Sequence, residues 1–232
     1  MTTLRDRADA AAQVFVDELD SPVLTDGDVH HLARVLRLRD GERVVACDGR
    51  GGWRLCAFSR DHLEPLGEVV VEPARARVVS VWLPAVRGER AEWAVQKLTE
   101  LGVDEIGLLD CERASVRIDA TGAERVLARW RRVAREAACQ SRRTRLPECH
   151  GPVDVAGAVA LGAVQCDLDG ELALDAPTSL AIGPEGGWAD GERPEPAAAV
   201  SLAETVLRTE TAAVAAAVLL GAARHGAGRE AQ

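Results

Sequence analysis

The sequence predicts an α/β protein in which a small β-rich N-terminal unit precedes a larger unit with a parallel sheet. Two patterns in the chain of 232 residues support this fold class. Short strand-like runs surround a glycine-rich turn between residues 42 and 73, and strand-like and helical segments alternate from residue 78 onward. Alternation of this kind is typical of a parallel sheet with crossover helices. Apolar residues make up 47% of the chain, which suffices for a core at this length.

The N-terminal elements are predicted from turn residues and apolar runs. Residues 42–49 and 53–60 are expected to be two strands joined by the turn sequence DGRGG, which is typical of a β-hairpin. Residues 67–73 are a third strand candidate. Residues 31–41 (HLARVLRLRDG) are expected to form a short helix or turn that carries arginines, and residues 72–78 a linker.

The C-terminal elements follow from periodicity. Strands are predicted at 78–85, 104–111, 163–170, 179–186 and 197–204. Apolar residues at helical spacing predict helices at 90–103, 124–139 and 209–226. Gly102 is expected to end the first of these helices, and Thr209 is expected to cap the start of the last.

Charge is distributed unevenly along the chain, whose net charge is −9. Residues 125–145 contain eight arginines and one acid, whereas residues 146–207 contain eleven acids and one base. A basic stripe on an acidic body can bind a polyanion, because charges interact within a Debye length of about 8 Å. The stripe favours a nucleic-acid partner. A solvated helix face is the alternative interpretation of Arg125, Arg129 and Arg132.

Cysteine and histidine spacing gives no sign of a metal site. The six cysteines are far apart without a CxxC pair, and no histidine stands at metal-ligand spacing. We therefore expect free thiols and no bound metal. The N-terminus has no apolar signal core, and the longest apolar run, residues 212–223, is too short to span a bilayer. These features predict a cytoplasmic protein with no membrane association.

The glycine-rich segment GPEGGW, residues 183–188, follows a predicted strand. It lacks the lysine of a P-loop, the GxGxxG spacing of a dinucleotide-binding turn and the serine of a nucleophile elbow. Pro184 restricts the backbone, while Gly186 and Gly187 let backbone groups approach a ligand closely. The segment therefore suits either a flat heterocycle such as adenine or a tight strand-to-helix connection without a ligand.

Read together with VLRTETA at residues 206–212, this loop resembles the signature of the RsmE-type family. That family comprises the uridine-N3 16S ribosomal RNA methyltransferases of the SPOUT superfamily. Residues 182–187 and 206–212 match the signature residue for residue, and Glu192 matches the acid that closes its first part. Four other segments are similar to family motifs in the same order, namely HLARVLR (31–37), RGERAEWAVQKLTELGV (87–103), CERASVR (111–117) and EAACQSRRTRLPE (136–148).

The resemblance implies a fold, a cofactor and partners. The implied fold is an N-terminal PUA-like β-barrel at residues 1–72 and a C-terminal SPOUT α/β domain with a deep trefoil knot at residues 73–232. A homodimer is implied that binds S-adenosylmethionine and acts on 16S ribosomal RNA of the small ribosomal subunit. The implied cofactor-binding residues are Leu168, Ile182, Gly183, Pro184, Glu185, Gly186, Gly187, Leu202, Ala203, Val206, Leu207 and Arg208, with Asp169 beside Leu168.

The implied chemistry needs the N3 proton of uracil removed and the resulting charge on the ring oxygens stabilised. An arginine that donates to such an oxygen would stabilise the transition state. Arg208 is the candidate for this role, with Glu210 or a water molecule as proton acceptor. The alternative is that both side chains pair or cap the last helix. RNA-binding residues implied by the basic segments are Arg34, Arg37, Arg113, Arg117, Arg143 and Arg145.

Two alternative functions stay open for this sequence. One is a SPOUT enzyme that methylates a ribose 2′-hydroxyl of ribosomal or transfer RNA, although the VLRTETA motif favours the uridine-N3 branch. The other is a catalytically inactive RNA-binding homologue. The chain departs from the family pattern at Ala189, Ala203 and Thr205, and the latter two keep this second alternative open.

Overall fold

The computed structural model describes residues 4–86, 88–171 and 177–230. The chain divides into two compact units. The first contains Met1–Arg75 and Arg135–Leu146, and the second contains Ala76–Ala134 and Pro147–Gln232.

The elements of the first unit are α1 (Leu4–Ala8), β1 (Ala12–Phe15), α2 (Asp26–His30) with a π-helical turn His31–Val35, β2 (Arg43–Cys47), β3 (Gly52–Ser59), β4 (His62–Pro65) and β5 (Val70–Val71). The strands form a five-stranded sheet with the order β1-β2-β3-β4, in which β5 pairs with β3. Strands β1 and β2 are parallel, and the other pairs are antiparallel. The predicted hairpin is confirmed, because β2 and β3 pair antiparallel up to Cys47 and Trp53.

Two strands of this sheet, β1 and β4, were not predicted, and the strand predicted at 67–73 is only Val70–Val71. Every residue of β1 is buried, so it shows no alternation of apolar and polar residues. Strand β4 is an edge strand that buries only Leu63 and ends in a proline. Neither strand carries the period-two pattern by which a half-buried strand is identified.

Residues 135–146 belong to the first unit because they pack against its sheet. Ala138 is fully buried in a cluster with Phe15 and Trp53. The side-chain amide of Gln13 donates to the carbonyl oxygens of Ala138 and Arg143, at 3.2 and 2.6 Å. A segment far along the sequence therefore completes the core of the N-terminal unit.

The elements that follow are β6 (Ser80–Pro84), α3 (Arg90–Glu100), β7 (Glu105–Asp110), α4 (Ala120–Gln140), β8 (Glu148–Asp154), α5 (Val155–Ala160), β9 (Val164–Glu171), β10 (Ser179–Ala181), a 3₁₀ turn Pro196–Ala198, β11 (Ala199–Val200) and α6 (Thr209–Glu230). The strands form the six-stranded sheet of the second unit, with the order β11-β9-β10-β6-β7-β8. All of its pairs are parallel, which confirms the predicted α/β architecture. The largest apolar cluster of this unit packs the sheet against the helices.

Several boundaries in this unit differ from the prediction. Strand β8 was missed, because a glycine and a proline inside it are typical of turns; it lies at the sheet edge, where proline is tolerated. Strands β10 and β11 are much shorter than predicted. Gly102, at a φ of +87°, follows the end of α3 as predicted. Thr209 is the first residue of α6 rather than its cap.

None of the helices in the described part of the chain is long and apolar enough to cross a bilayer. All six cysteines carry free thiols. The described residues contain no group of three or more His, Cys, Asp or Glu side chains placed to hold a metal ion.

The packing of Trp82 on Gly107 gives a stability prediction. A Cβ added at Gly107 would lie 2.0 Å from the indole ring, and the indole N–H is held by the hydroxyl of Ser179 at 3.1 Å. Gly107→Ala should therefore reduce the free energy of unfolding by about 1–3 kcal/mol. Chemical denaturation measures this loss. Gly191→Ala, at a glycine with nothing within 4 Å, is the control and should change it by less than about 0.5 kcal/mol.

Candidate functional site

The segment Ile182–Trp188 forms a tight turn at the carboxyl end of β10. The backbone N–H of Ile182 still donates to the Trp82 carbonyl oxygen at 2.8 Å, and the chain then leaves the sheet. The N–H of Gly187 donates to the carbonyl oxygen of Pro184 at 2.9 Å, and the φ of Gly187 is +70°, a conformation that favours glycine. Ligands of parallel α/β sheets bind at the carboxyl ends of strands, where this turn lies.

The indole of Trp188 packs against the turn. The side chain is buried, with 6% of its surface exposed, and its N–H donates to the carbonyl oxygen of Cys166 at 3.0 Å. A Cβ at Gly183 would lie 3.1 Å from the ring. The packing favours glycine at position 183, because a Cβ there would require the ring to shift by a few tenths of an ångström. Apart from the position of Trp188 after two glycines, nothing in the sequence indicates this role.

Glu192 closes the loop. Its carboxylate accepts hydrogen bonds from the backbone N–H groups of Glu112 at 2.8 Å and Ala189 at 3.2 Å. Its carbonyl oxygen accepts a further bond from the side-chain amide of Gln165 at 2.7 Å. The acid that ends the sequence motif thus ties the loop to β9 and to the segment after β7.

A cavity of about 410 Å³ lies against this turn. Three segments line it: the end of β9, the turn itself and residues 201–212. It brings together every predicted cofactor-binding residue except Arg208. The lining residues that the sequence analysis did not assign to the cofactor are Arg113, Cys166, Asp167, Trp188, Arg193, Ser201, Thr205, Thr209 and Ala212.

A second cavity, of about 660 Å³, is lined by the residues after β6 and β7 and by parts of α3 and α4. Of the predicted site residues it contains only Arg117. The cavity of 410 Å³ is therefore the candidate ligand site, because the chain's most specific motifs form its walls.

Charged and sulfur groups border the candidate site. Arg193 donates to the carboxylate of Asp169 at 2.8 Å and lies 3.8 Å from that of Asp167. Burial raises the pKa of the Cys166 thiol to about 12, so this group stays protonated at neutral pH. The wall formed by the end of β9 thus offers carboxylate acceptors and a neutral thiol.

Arg208 and Glu210 flank Thr209, which lines the cavity. The Arg208 side chain is exposed and has no hydrogen bond or ion pair within the described ranges of the chain. The Glu210 side chain, in contrast, is largely buried, with 12% of it exposed. Its Oε1 lies 3.9 Å from Nη1 of Arg90, and its Oε2 is buried without a hydrogen-bond partner among the described residues. The two side chains thus do not pair with each other.

The arginines predicted to bind RNA have different environments. Arg34, Arg37 and Arg117 are exposed. Arg143 is buried, with 8% of its surface exposed. Arg145 donates to the carbonyl oxygen of Glu72 at 2.7 Å.

Arg113 contacts the glycine-rich turn. It donates to the carbonyl oxygen of Trp188 at 3.1 Å and pairs with Asp190 at 3.5 Å. Arg113, Arg143 and Arg145 thus stabilise the fold or are enclosed in it. Spacing along a sequence does not show which arginines form such contacts within the fold.

Two family models match the chain. Residues 73–221 match a model described as an RNA methyltransferase domain, and residues 24–64 match one described as an RNA methyltransferase PUA domain. The first match covers the parallel sheet and the cavity, and the second lies within the N-terminal unit. Fold and site therefore define the chain as an RNA methyltransferase with a PUA domain.

Curated relatives narrow this class. A ribosomal RNA small subunit methyltransferase E of Mycobacterium bovis is 35% identical, over 90% of this chain and 89% of that protein. The protein of the same name from Bacillus subtilis is 27% identical, over 85% of this chain and 88% of that protein. The chain belongs to the ribosomal RNA small subunit methyltransferase E family.

Solved structures agree with this assignment. A Legionella pneumophila protein described as a methyltransferase, solved with S-adenosylmethionine bound, is 26% identical with a TM-score of 0.77, covering 91% of this chain and 97% of that one. A ribosomal RNA small subunit methyltransferase E of Neisseria gonorrhoeae, also bound to S-adenosylmethionine, is 26% identical with a TM-score of 0.69, covering 89% of this chain and 94% of that one.

The support that Trp188 gives to the turn can be tested by Trp188→Phe. The phenyl ring keeps most of the packing but leaves the carbonyl oxygen of Cys166 without its donor, so the free energy of unfolding should fall by about 1–3 kcal/mol. Thermal and chemical denaturation measure the change. A free energy of unfolding equal to that of the unsubstituted protein would contradict the role of Trp188.

Proposed function

We propose that the protein transfers the methyl group of S-adenosylmethionine to N3 of a specific uridine in 16S ribosomal RNA of the small subunit. The observation that carries this proposal is the cavity at the carboxyl ends of β9 and β10, whose walls are the two motif loops. The relatives' names and the cofactor in the solved neighbours support the same activity.

The cavity suits this cofactor in size and chemistry. Its volume of about 410 Å³ lies in the range of small-molecule sites, about 300–1,000 Å³. Gly183, Gly186 and Gly187 would hold an adenine ring through their backbone groups, and Ile182 and Leu202 would form the apolar part of the wall. The carboxylate of Asp169 can accept hydrogen bonds from ribose hydroxyls. When bound, the cofactor supplies a methyl group made electrophilic by its sulfonium.

Residues beside this wall then act on the uracil ring. The guanidinium of Arg208, which has no partner within the described ranges, donates to a ring oxygen on which negative charge develops. The unpartnered Oε2 of Glu210 accepts the N3 proton, directly or through a water molecule. Such positioned donors typically contribute about 10²–10³-fold to a rate.

The Cys166 thiol lines the same cavity and could compete for the methyl group if it ionised. The thiolate is the nucleophilic form of cysteine. Because burial raises the pKa of this thiol to about 12, the cavity wall holds almost no thiolate at neutral pH.

The domain arrangement and assembly are also part of the proposal. Residues 1–72 form a PUA-like β-barrel that binds RNA, and residues 73–232, apart from the segment 135–146 that packs in the first unit, form a SPOUT domain with a deep trefoil knot. Trp93 on α3 and Val218 on α6 are 45% and 54% exposed, and helices α3 and α6 pack together. These apolar side chains suit a homodimer interface. The substrate places the enzyme in the cytoplasm.

RNA contacts are proposed for the exposed arginines Arg34, Arg37 and Arg117. Guanidinium groups on a protein surface are suited to phosphate oxygens. Arg113, Arg143 and Arg145 are left out of this set because they are engaged in or enclosed by the fold.

Product identity tests the proposed reaction. The protein is incubated with labelled S-adenosylmethionine and small subunits that lack the modification, and the labelled nucleoside is identified by chromatography and mass spectrometry. We expect 3-methyluridine. A 2′-O-methylated product would show a ribose methyltransferase, and RNA binding without labelling would show an inactive homologue.

Arg208→Ala should reduce kcat for methyl transfer by about 10²-fold or more, since it removes the donor to the ring oxygen. Affinity for S-adenosylmethionine, measured by calorimetry, should change little because the guanidinium is outside the cavity lining. Arg125→Ala, on the exposed face of α4, is the control for loss of one positive charge. An unchanged kcat in Arg208→Ala would remove the role assigned to this residue.

The double substitution Arg34→Ala and Arg37→Ala should weaken RNA binding. The slope of log Kd against log salt concentration should fall by about one to two, since each lost phosphate contact lowers it by about one. Affinity for S-adenosylmethionine should stay unchanged. Filter binding across a salt series measures the slope. A salt slope identical to that of the unsubstituted protein would contradict phosphate contacts at these positions.

A further inference from the structure

The first residue of α3 is a cation, Arg90. Two acids stand close to it in the sequence, Glu89 at the cap position and Glu92 in the first turn. The positive end of the helix dipole disfavours a cation at this position, so helix stability does not account for Arg90. A residue that opposes the local preference in an otherwise consistent element indicates a tertiary or functional role.

Arg90 lies between two carboxylates from different parts of the chain. Its Nη1 forms an ion pair with Oε1 of Glu185, which belongs to the glycine-rich turn. The same Nη1 lies 3.9 Å from Oε1 of Glu210, in the first turn of α6. One guanidinium therefore connects the starts of two helices and a wall of the cofactor cavity.

Glu210 depends on this cation. Its side chain is 12% exposed, and its Oε2 has no hydrogen-bond partner within the residues that the structure describes. A buried carboxylate without donors is unfavourable unless a positive charge is close to it. Arg90 supplies that charge at Oε1, whereas Oε2 is buried and has no partner among the described residues.

The turn and the start of α6 are tied at a second point. The hydroxyl of Thr209 donates to the carbonyl oxygen of Gly183 at 3.2 Å. Thr209 lies between Arg208 and Glu210 in the sequence, so this bond holds their backbone beside the turn. It does not orient the Glu210 side chain, whereas the Arg90 bridge contacts that carboxylate itself.

We propose that Arg90 is a positioning residue for methyl transfer, holding Glu210 at a set distance from the Glu185 side of the cofactor cavity. The inference rests on the proposed function and deepens it. Arg90 acts through Glu210, so its removal should misplace the proton acceptor while the walls of the cofactor cavity stay in place.

Arg90→Gln tests this by separating cofactor binding from turnover. We expect kcat at saturating substrates to fall by about 10–100-fold, because small displacements of reacting groups have effects of this size. The Kd for S-adenosylmethionine, measured by calorimetry, should stay within about threefold. Arg90→Lys should recover most of kcat, because an ammonium group can pair with the same carboxylates.

Arg129→Gln is the matched control. Arg129 forms an ion pair with Glu92 at 2.8 Å in the same unit and lies outside the cofactor cavity. This variant should keep the kcat of the unsubstituted protein. A comparable loss in Arg129→Gln would assign the effect to general loss of an ion pair and overturn the inference.

Other outcomes are equally decisive. A kcat for Arg90→Gln equal to that of the unsubstituted protein overturns the positioning role. So does a loss of rate that is seen only at low S-adenosylmethionine concentration and disappears at saturation. If the unsubstituted protein transfers no methyl group, the proposed function itself fails. If circular dichroism shows that Arg90→Gln is unfolded, Arg90→Met, which keeps an unbranched side chain and removes the charge, must show the same loss of kcat with unchanged Kd.

Discussion

A ligand site lined by backbone groups works only if the backbone stays in one conformation, and the indole of Trp188 provides that restraint. The ring packs against Gly183, and its N–H bonds to the carbonyl oxygen of Cys166 at the end of β9. A Cβ at position 183 would lie 3.1 Å from the ring, so the close packing of Trp188 on the turn favours glycine there. Glu192 adds a second restraint through two backbone N–H groups. The turn is therefore held on both sides before any ligand binds.

The parallel sheet brings the rest of the site to this turn. Strands β9 and β10 are parallel neighbours, so the chain leaves both at the same edge of the sheet. Residues 201–212 follow β11, which pairs with β9 and is therefore also close. Ion pairs then set the finer geometry, since Arg90 contacts Glu185 and lies near Glu210. Main-chain topology gathers the segments, and side-chain charges orient them.

Much of the fold was predictable because its elements carry local signals. The hairpin of β2 and β3, the alternation of strands with helices, and the end of α3 at Gly102 all follow from turn residues and periodicity. Strands β1, β4 and β8 carry no such signal, because they are fully buried, peripheral or interrupted by glycine and proline. Their identity as strands depends on partners that are distant in the sequence.

The sequence by itself determined the two motif loops, the alternating α/β pattern and the family to which the chain belongs, since each is written in contiguous residues. Tertiary structure decided how the motif side chains are used. Burial encloses Arg143, and Arg113, although half exposed, contacts the carbonyl oxygen of Trp188; the sequence distinguishes neither from an arginine without such contacts. The physical reason is that exposure and hydrogen bonding depend on residues brought together from distant segments. The bridge of Arg90 between Glu185 and Glu210 has the same origin.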